Sequence, residues 1–184
     1  RAATSMLNEA AKNKQREMEF PGENETKQVQ KIDIDFWSNG ELGEYEERVK
    51  TIKNKLERAE HDMSFTLQDL DETLDQIAKE SPELANIIIA AGNNVAASQI
   101  RFDMAEIGAN VLLDQLFDEN SVKATYEGGD QRAGYILQME NSNGTKATIV
   151  VAPSEEISEQ GKFKMTINFE NDDEYISEDE IRER

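Results

Sequence analysis

A chain of 184 residues with 39 acidic against 20 basic side chains, a formal charge of −19 and 37 % apolar residues is long enough to bury a core without disulfides or a structural metal. With no cysteine and one histidine, it excludes disulfides, thiolate zinc sites, cysteine nucleophiles and multi-histidine metal centres, and it favours a reducing compartment. The charge repels nucleic acid and anionic membrane, and the longest apolar run, residues 87–91, falls far short of the roughly 20 residues of a transmembrane helix, so a cytoplasmic protein binding neutral or basic protein surfaces is expected.

Residues 1–20 have helix-forming composition and are expected as an N-terminal helix. Residues 21–40 read as a linker and a short strand. Pro21, Gly22, Glu23, Asn24 and Glu25 are rich in turn formers. Ile32, Ile34 and Phe36 then alternate with Asp33 and Asp35, the period of a half-buried strand over 31–37, closed by Ser38, Asn39 and Gly40.

Residues 41–118 carry the strongest periodicity and are expected as a coiled-coil-like helical hairpin. Leu42, Tyr45, Val49, Ile52, Leu56, Ala59, Met63, Leu67, Leu70, Leu74 and Ile77 recur at steps of three and four, which places them in one stripe on a helix over 41–79. A kink at 61–64 would divide that helix in two. Opposite charges one turn apart, Glu44/Arg48, Glu46/Lys50 and Asp75/Lys79, agree with it. Ser81 and Pro82 start a second helix. Its residues 84–117 are apolar enough to fold back on the first arm and to cover a further element.

From Val122 the apolar period becomes two. Strands are expected at 122–126, 135–139, 147–151 and 163–169, turned by Gly128-Gly129-Asp130 and by Asn143-Gly144. Together residues 119–170 make an antiparallel β-meander. Phe163, Met165, Ile167 and Phe169 should share its buried face, with Lys162, Lys164 and Thr166 outward, and 31–37 is a candidate fifth strand. Residues 171–184 are an acidic tail and the start of a C-terminal helix, announced by the capping box of Ser177 and Glu180. The fold class is therefore α+β, a long helical hairpin packed with a C-terminal four-stranded meander. Both ends read as cut, as in a fragment of a larger protein.

Candidate chemistry is sparse. His61 lies between Glu60 and Asp62, off the apolar stripe, and is expected in solvent. Asp33 and Asp35, two apart on a strand, would share a face and could hold Mg²⁺ with substrate phosphates, but no phosphate-binding loop accompanies them and alternation alone explains their spacing. Asp172, Asp173, Glu174, Glu178, Asp179 and Glu180 lack the spacing of an EF-hand loop. The Asn-x-Thr triplets at Asn24 and Asn143 are short enough to arise by chance. No catalytic, cofactor or metal site is expected. Trp37 would anchor a partner if exposed and belong to the core if buried.

The expected function is a non-enzymatic scaffold or adaptor. Its partner-binding residues would be Trp37, Val49, Ile52, Leu56, Leu67, Leu70 and Leu74, and its partner a protein or a second copy, with no nucleic acid, membrane or small-molecule substrate. The alternative is an acidic inhibitor or nucleic-acid mimic docked in a basic cleft of its target.

Overall fold

The computed structural model describes residues 1–21, 27–61, 64–154 and 163–170. Met63, the Asn24 triplet, Lys162, the acidic tail and the Ser177 capping box lie outside these residues. The fold is α+β, and the chain forms two compact units, Arg1–Ala96 and Ala97–Arg184. The boundary falls inside a helix that the sequence assigns to a single hairpin.

The first unit opens with α1 (Ala2–Lys12), whose Ala3 and Ala10, seven apart, lie on its buried side. The expected N-terminal helix stops there. Residues from Gln15 become strand β1 (Gln15–Pro21), paired antiparallel with β2 (Lys27–Asp33), Glu17 opposite Lys31. Composition favoured helix, but intrinsic propensity amounts to tenths of a kcal/mol per residue, and pairing with a neighbouring strand overrides it.

The expected strand at 31–37 is likewise corrected. β2 ends at Asp33, whose Oδ1 accepts hydrogen bonds from the Asp35 and Phe36 amides at 3.0 and 3.2 Å. That side chain starts the helical turn α2 (Ile34–Trp37). β1 and β2 form a separate two-stranded sheet, so among the described residues no fifth strand joins the meander. Asn39 and Gly40 then take left-handed φ values of 58° and 87°, a reversal that glycine allows without steric cost.

After this reversal α3 (Glu41–Ala59) begins. The 41–79 helix is divided near the expected kink, and α4 (Leu67–Glu80) starts afresh from Thr66. Thr66 and Asp69 make a reciprocal capping box: the Asp69 amide donates to Thr66 Oγ1 at 3.1 Å, and the Thr66 amide donates to Asp69 Oδ2 at 2.9 Å. α3 packs against α1 and α4. Arg48 Nε donates to both carboxylate oxygens of Glu80 at 3.0 and 3.1 Å, which ties the middle of α3 to the end of α4. The hairpin arms are therefore α3 and α4, rather than the 41–79 and 84–117 segments.

The core of this unit gathers Ile32, Ile34, Trp37, Leu42, Tyr45, Val49 and Ile52 with Leu84, Ile87, Ala91 and Val95 of α5 (Glu83–Leu113). α5 runs unbroken through Gly92. Asn94 Nδ2 donates to the Trp37 carbonyl at 2.8 Å, so the helix both covers the tryptophan and satisfies its backbone.

The second unit holds the meander, β3 (Lys123–Tyr126), β4 (Tyr135–Glu140), β5 (Lys146–Pro153) and β6 (Phe163–Glu170), antiparallel in that order. These bounds follow the expected strands within two residues. Gly128, Gly129 and Gly144 carry the positive φ that the turns need. Asn141 Oδ1 closes the β4–β5 turn by accepting from the Asn143 and Thr145 amides. One face packs Tyr135, Leu137, Met139, Ala147, Ile149 and Val151 against Ala105, Ala109 and Leu112 of α5. The helix approaches closely at Gly108, where a Cβ would stand 3.0 Å from Ile149 Cδ1.

β6 departs from expectation in its cover. Ile167 and Phe169 sit opposite Ile149 and Ala147 in register and so lie on the predicted face. Yet they are 39 % and 57 % exposed, while their β5 partners are fully buried. The helix reaches the middle of the sheet and leaves this stretch of the edge strand open.

Candidate interaction surface

The seven residues singled out by sequence separate into two groups. Trp37, Val49 and Ile52 are core residues, and Leu56 is half-buried against the same core. They hold the first unit together from within its core rather than from its surface. Trp37 also meets Phe36 edge-on, with ring centroids 5.3 Å apart. Leu67, Leu70 and Leu74 are 82 %, 37 % and 52 % exposed.

The cause is the angular position of each residue on α4. Thr73 is the buried residue of this helix, and Ile77 packs at the core's edge. That line of contact lies to one side of the leucines. Spaced i, i+3 and i+7, Leu67, Leu70 and Leu74 form an adjoining line: Leu67 and Leu74 face solvent, and Leu70, seven before Ile77, sits at its boundary with the core. Asp71 and Asp75 are exposed along one side of it, so the apolar ridge has an acidic margin. Thr73 Oγ1 satisfies itself by donating to the Asp69 carbonyl at 2.6 Å.

At the α3–α4 turn an open cleft of about 510 Å³ is lined by Thr51, Asn54, Lys55, Arg58, Ser64, Phe65 and Asp69. Hydrogen bonds from the Thr66 hydroxyl and amide hold the Asp69 carboxyl below its ordinary range, and Lys55 adds to the effect. His61 is exposed, as its flanking charges indicate, on a shallow surface shared with Asn54, Glu57 and Arg58.

Asp33 and Asp35 are not a same-face pair on a strand. Asp33 caps α2, and Asp35 Oδ1 accepts from the Gly43 amide at 2.7 Å, in the first turn of α3. Each carboxylate therefore answers unsatisfied amides at a helix start, where the helix dipole also favours negative charge. Among the described residues no group of three His, Asp or Glu side chains is placed to hold a metal ion, and no helix is long and apolar enough to cross a membrane.

Burial raises the Tyr45 hydroxyl above its ordinary range, with Glu80 acting in the same direction. In the second unit, Arg101 is a buried cation that sequence reasoning missed. Its Nη2 donates to the Gln131 and Arg132 carbonyls at 3.0 and 3.2 Å, and its guanidinium lies 5.9 Å from the Phe163 ring centroid. Burial pulls its pKa down. It fastens the β3–β4 connection to α5. The available signal was its place as the sole basic residue in an apolar helix. Nearby, Ser98 Oγ donates to Tyr126 Oη at 2.9 Å.

α5 ends in the paired bonds of a Schellman motif, Phe117 N to Leu112 O and Leu116 N to Leu113 O. Leu116 occupies the left-handed position at φ 68° with its side chain in solvent, a place glycine usually fills. Compared with protein families, curated proteins and solved structures, the chain matches none.

Proposed function

We propose that this protein is a non-enzymatic interaction module, a scaffold or adaptor subunit, that receives an amphipathic partner helix on α4. The exposed Leu67-Leu70-Leu74 ridge carries the reading. Anchors at i, i+3 and i+7 are the pattern by which helices engage apolar grooves and other helices. The acidic margin of Asp71 and Asp75 selects a partner whose apolar stripe is flanked by Lys or Arg, and it disfavours acidic competitors. The cysteine-free sequence supports a cytoplasmic setting for this role.

The test compares wild type with Leu67→Glu/Leu74→Glu in affinity capture from the source lysate. Both positions are exposed, so the thermal midpoint should not move. A partner held by the ridge stays bound to wild type at about 0.5 M NaCl, where the Debye length is only about 4 Å, and is lost from the variant. A partner released by that salt and indifferent to the leucines would overturn this reading in favour of an acidic mimic.

A further inference from the structure

The meander leaves β6 as its long open edge. Among the described residues β6 pairs only with β5, so its outer row of amides and carbonyls has no strand beside it. The opposite edge, β3, is four residues long and carries Lys123, and shortness with an edge lysine is how sheets commonly blunt an edge. β6 runs for eight residues. Its Ile167 and Phe169 are exposed on the same face as the core.

We propose that β6 pairs antiparallel with β6 of a second copy, joining two meanders into one continuous sheet. The two-fold axis passes through Ile167. This register sets Ile167 against Ile167, Met165 against Phe169, Thr166 against Asn168 and Lys164 against Glu170. Directly opposed residues of an antiparallel pair share a face. Met165, Ile167 and Phe169 therefore extend the apolar face begun by Val151, Ile149 and Ala147, and cover one another where α5 does not.

On the other face, Glu170 comes to stand between Lys146 of its own sheet, its β5 partner, and Lys164 of the second copy. A slip by one residue would oppose Lys164 and Thr166 to apolar side chains, so the pattern specifies the register. Within a chain of charge −19, β6 carries one Lys and one Glu and is neutral. Reversal of the strand brings unlike charges together, which is the property a self-complementary edge needs. This surface lies in the second unit and is independent of the α4 ridge.

The experiment is sedimentation equilibrium of the full chain at about 0.15 M NaCl, with exposed-residue variants that do not threaten the fold. Wild type is expected to dimerise. Lys164→Glu places Glu against Glu170 twice per dimer and should weaken the dimer about tenfold, and Lys164→Glu/Glu170→Gln, which lifts that repulsion without setting a lysine against Lys146, should recover most of the loss. Ile167→Cys, the sole thiol of the chain, should give a disulfide-linked dimer on mild oxidation, because opposed Cβ atoms lie about 5 Å apart. Asn168→Cys, which does not face itself across the axis, should not. Leu67→Glu/Leu74→Glu should leave the dimer unchanged. A monomer at all concentrations, or a dimer indifferent to Lys164→Glu and not linked through Ile167→Cys, would overturn the proposal.

Discussion

α3 and α4 carry large apolar residues at the same three- and four-residue steps, yet the two helices are stabilised by different means. In α3 the stripe Leu42, Tyr45, Val49 and Ile52 is buried under α1, α2 and the first part of α5. In α4 the corresponding leucines are largely open to water, and the helix is held through Thr73 and Ile77 and by its ends. Thr66 and Asp69 cap its start, and Glu80 takes Arg48 at its finish. An apolar stripe is thus a requirement for cover, and the same pattern serves as core where cover exists and as a docking surface where it does not.

The sharpest way to break this comparison is to truncate one leucine in each helix. Leu42→Ala empties a fully buried site and should cost about 2–5 kcal/mol in urea unfolding. Leu67→Ala, in the open, should change stability by less than about 0.5 kcal/mol. Equal losses would show that α4 is packed as α3 is, and would remove the ridge as a binding surface.

A smaller effect tests the claim that α4 depends on its cap. Thr66→Ala removes the hydroxyl that accepts from the Asp69 amide and should cost about 1 kcal/mol. Helix content should fall selectively in residues 67–80, as amide hydrogen exchange would show. Uniform loss of protection across α3 as well would mean that the two helices unfold as one body.

The smallest effect is read by titration. The Asp69 carboxyl is held below its ordinary value first by the Thr66 hydroxyl, then by the Thr66 amide. Its contribution to stability is therefore fully present above the unfolded carboxylate value of about 3.9 and is lost as pH falls through the lower folded value. Carboxyl NMR should show Asp69 titrating below the ordinary aspartate value, and Thr66→Val should bring it back toward that value. An unshifted Asp69 in wild type would remove the side-chain half of the cap.

Local pattern decided a good deal of this protein. Period-two alternation with Gly and Asn turns placed β3 to β6 nearly residue by residue, because pleat and turn depend on neighbours a few positions away. Three-four spacing likewise placed the helices, and the kink region was legible between His61 and Ser64.

Tertiary structure decided what each pattern was used for. Residues 15–20, helical by composition, became strand because β2 lay beside them. Asp33 and Asp35 took part in an alternation that looked like a strand face, but they cap α2 and α3, because the chain reverses between Trp37 and Glu41 and brings helix amides to them. Leu67, Leu70 and Leu74 repeat the spacing of Val49 and Ile52, but Leu67 and Leu74 lie off the line where α4 meets the core and Leu70 stands at its margin. Ile167 and Phe169 lie on the core face of the sheet beyond the reach of α5. Spacing fixes which residues share a face, but burial depends on which distant segments arrive to cover that face, and no local period encodes their arrival.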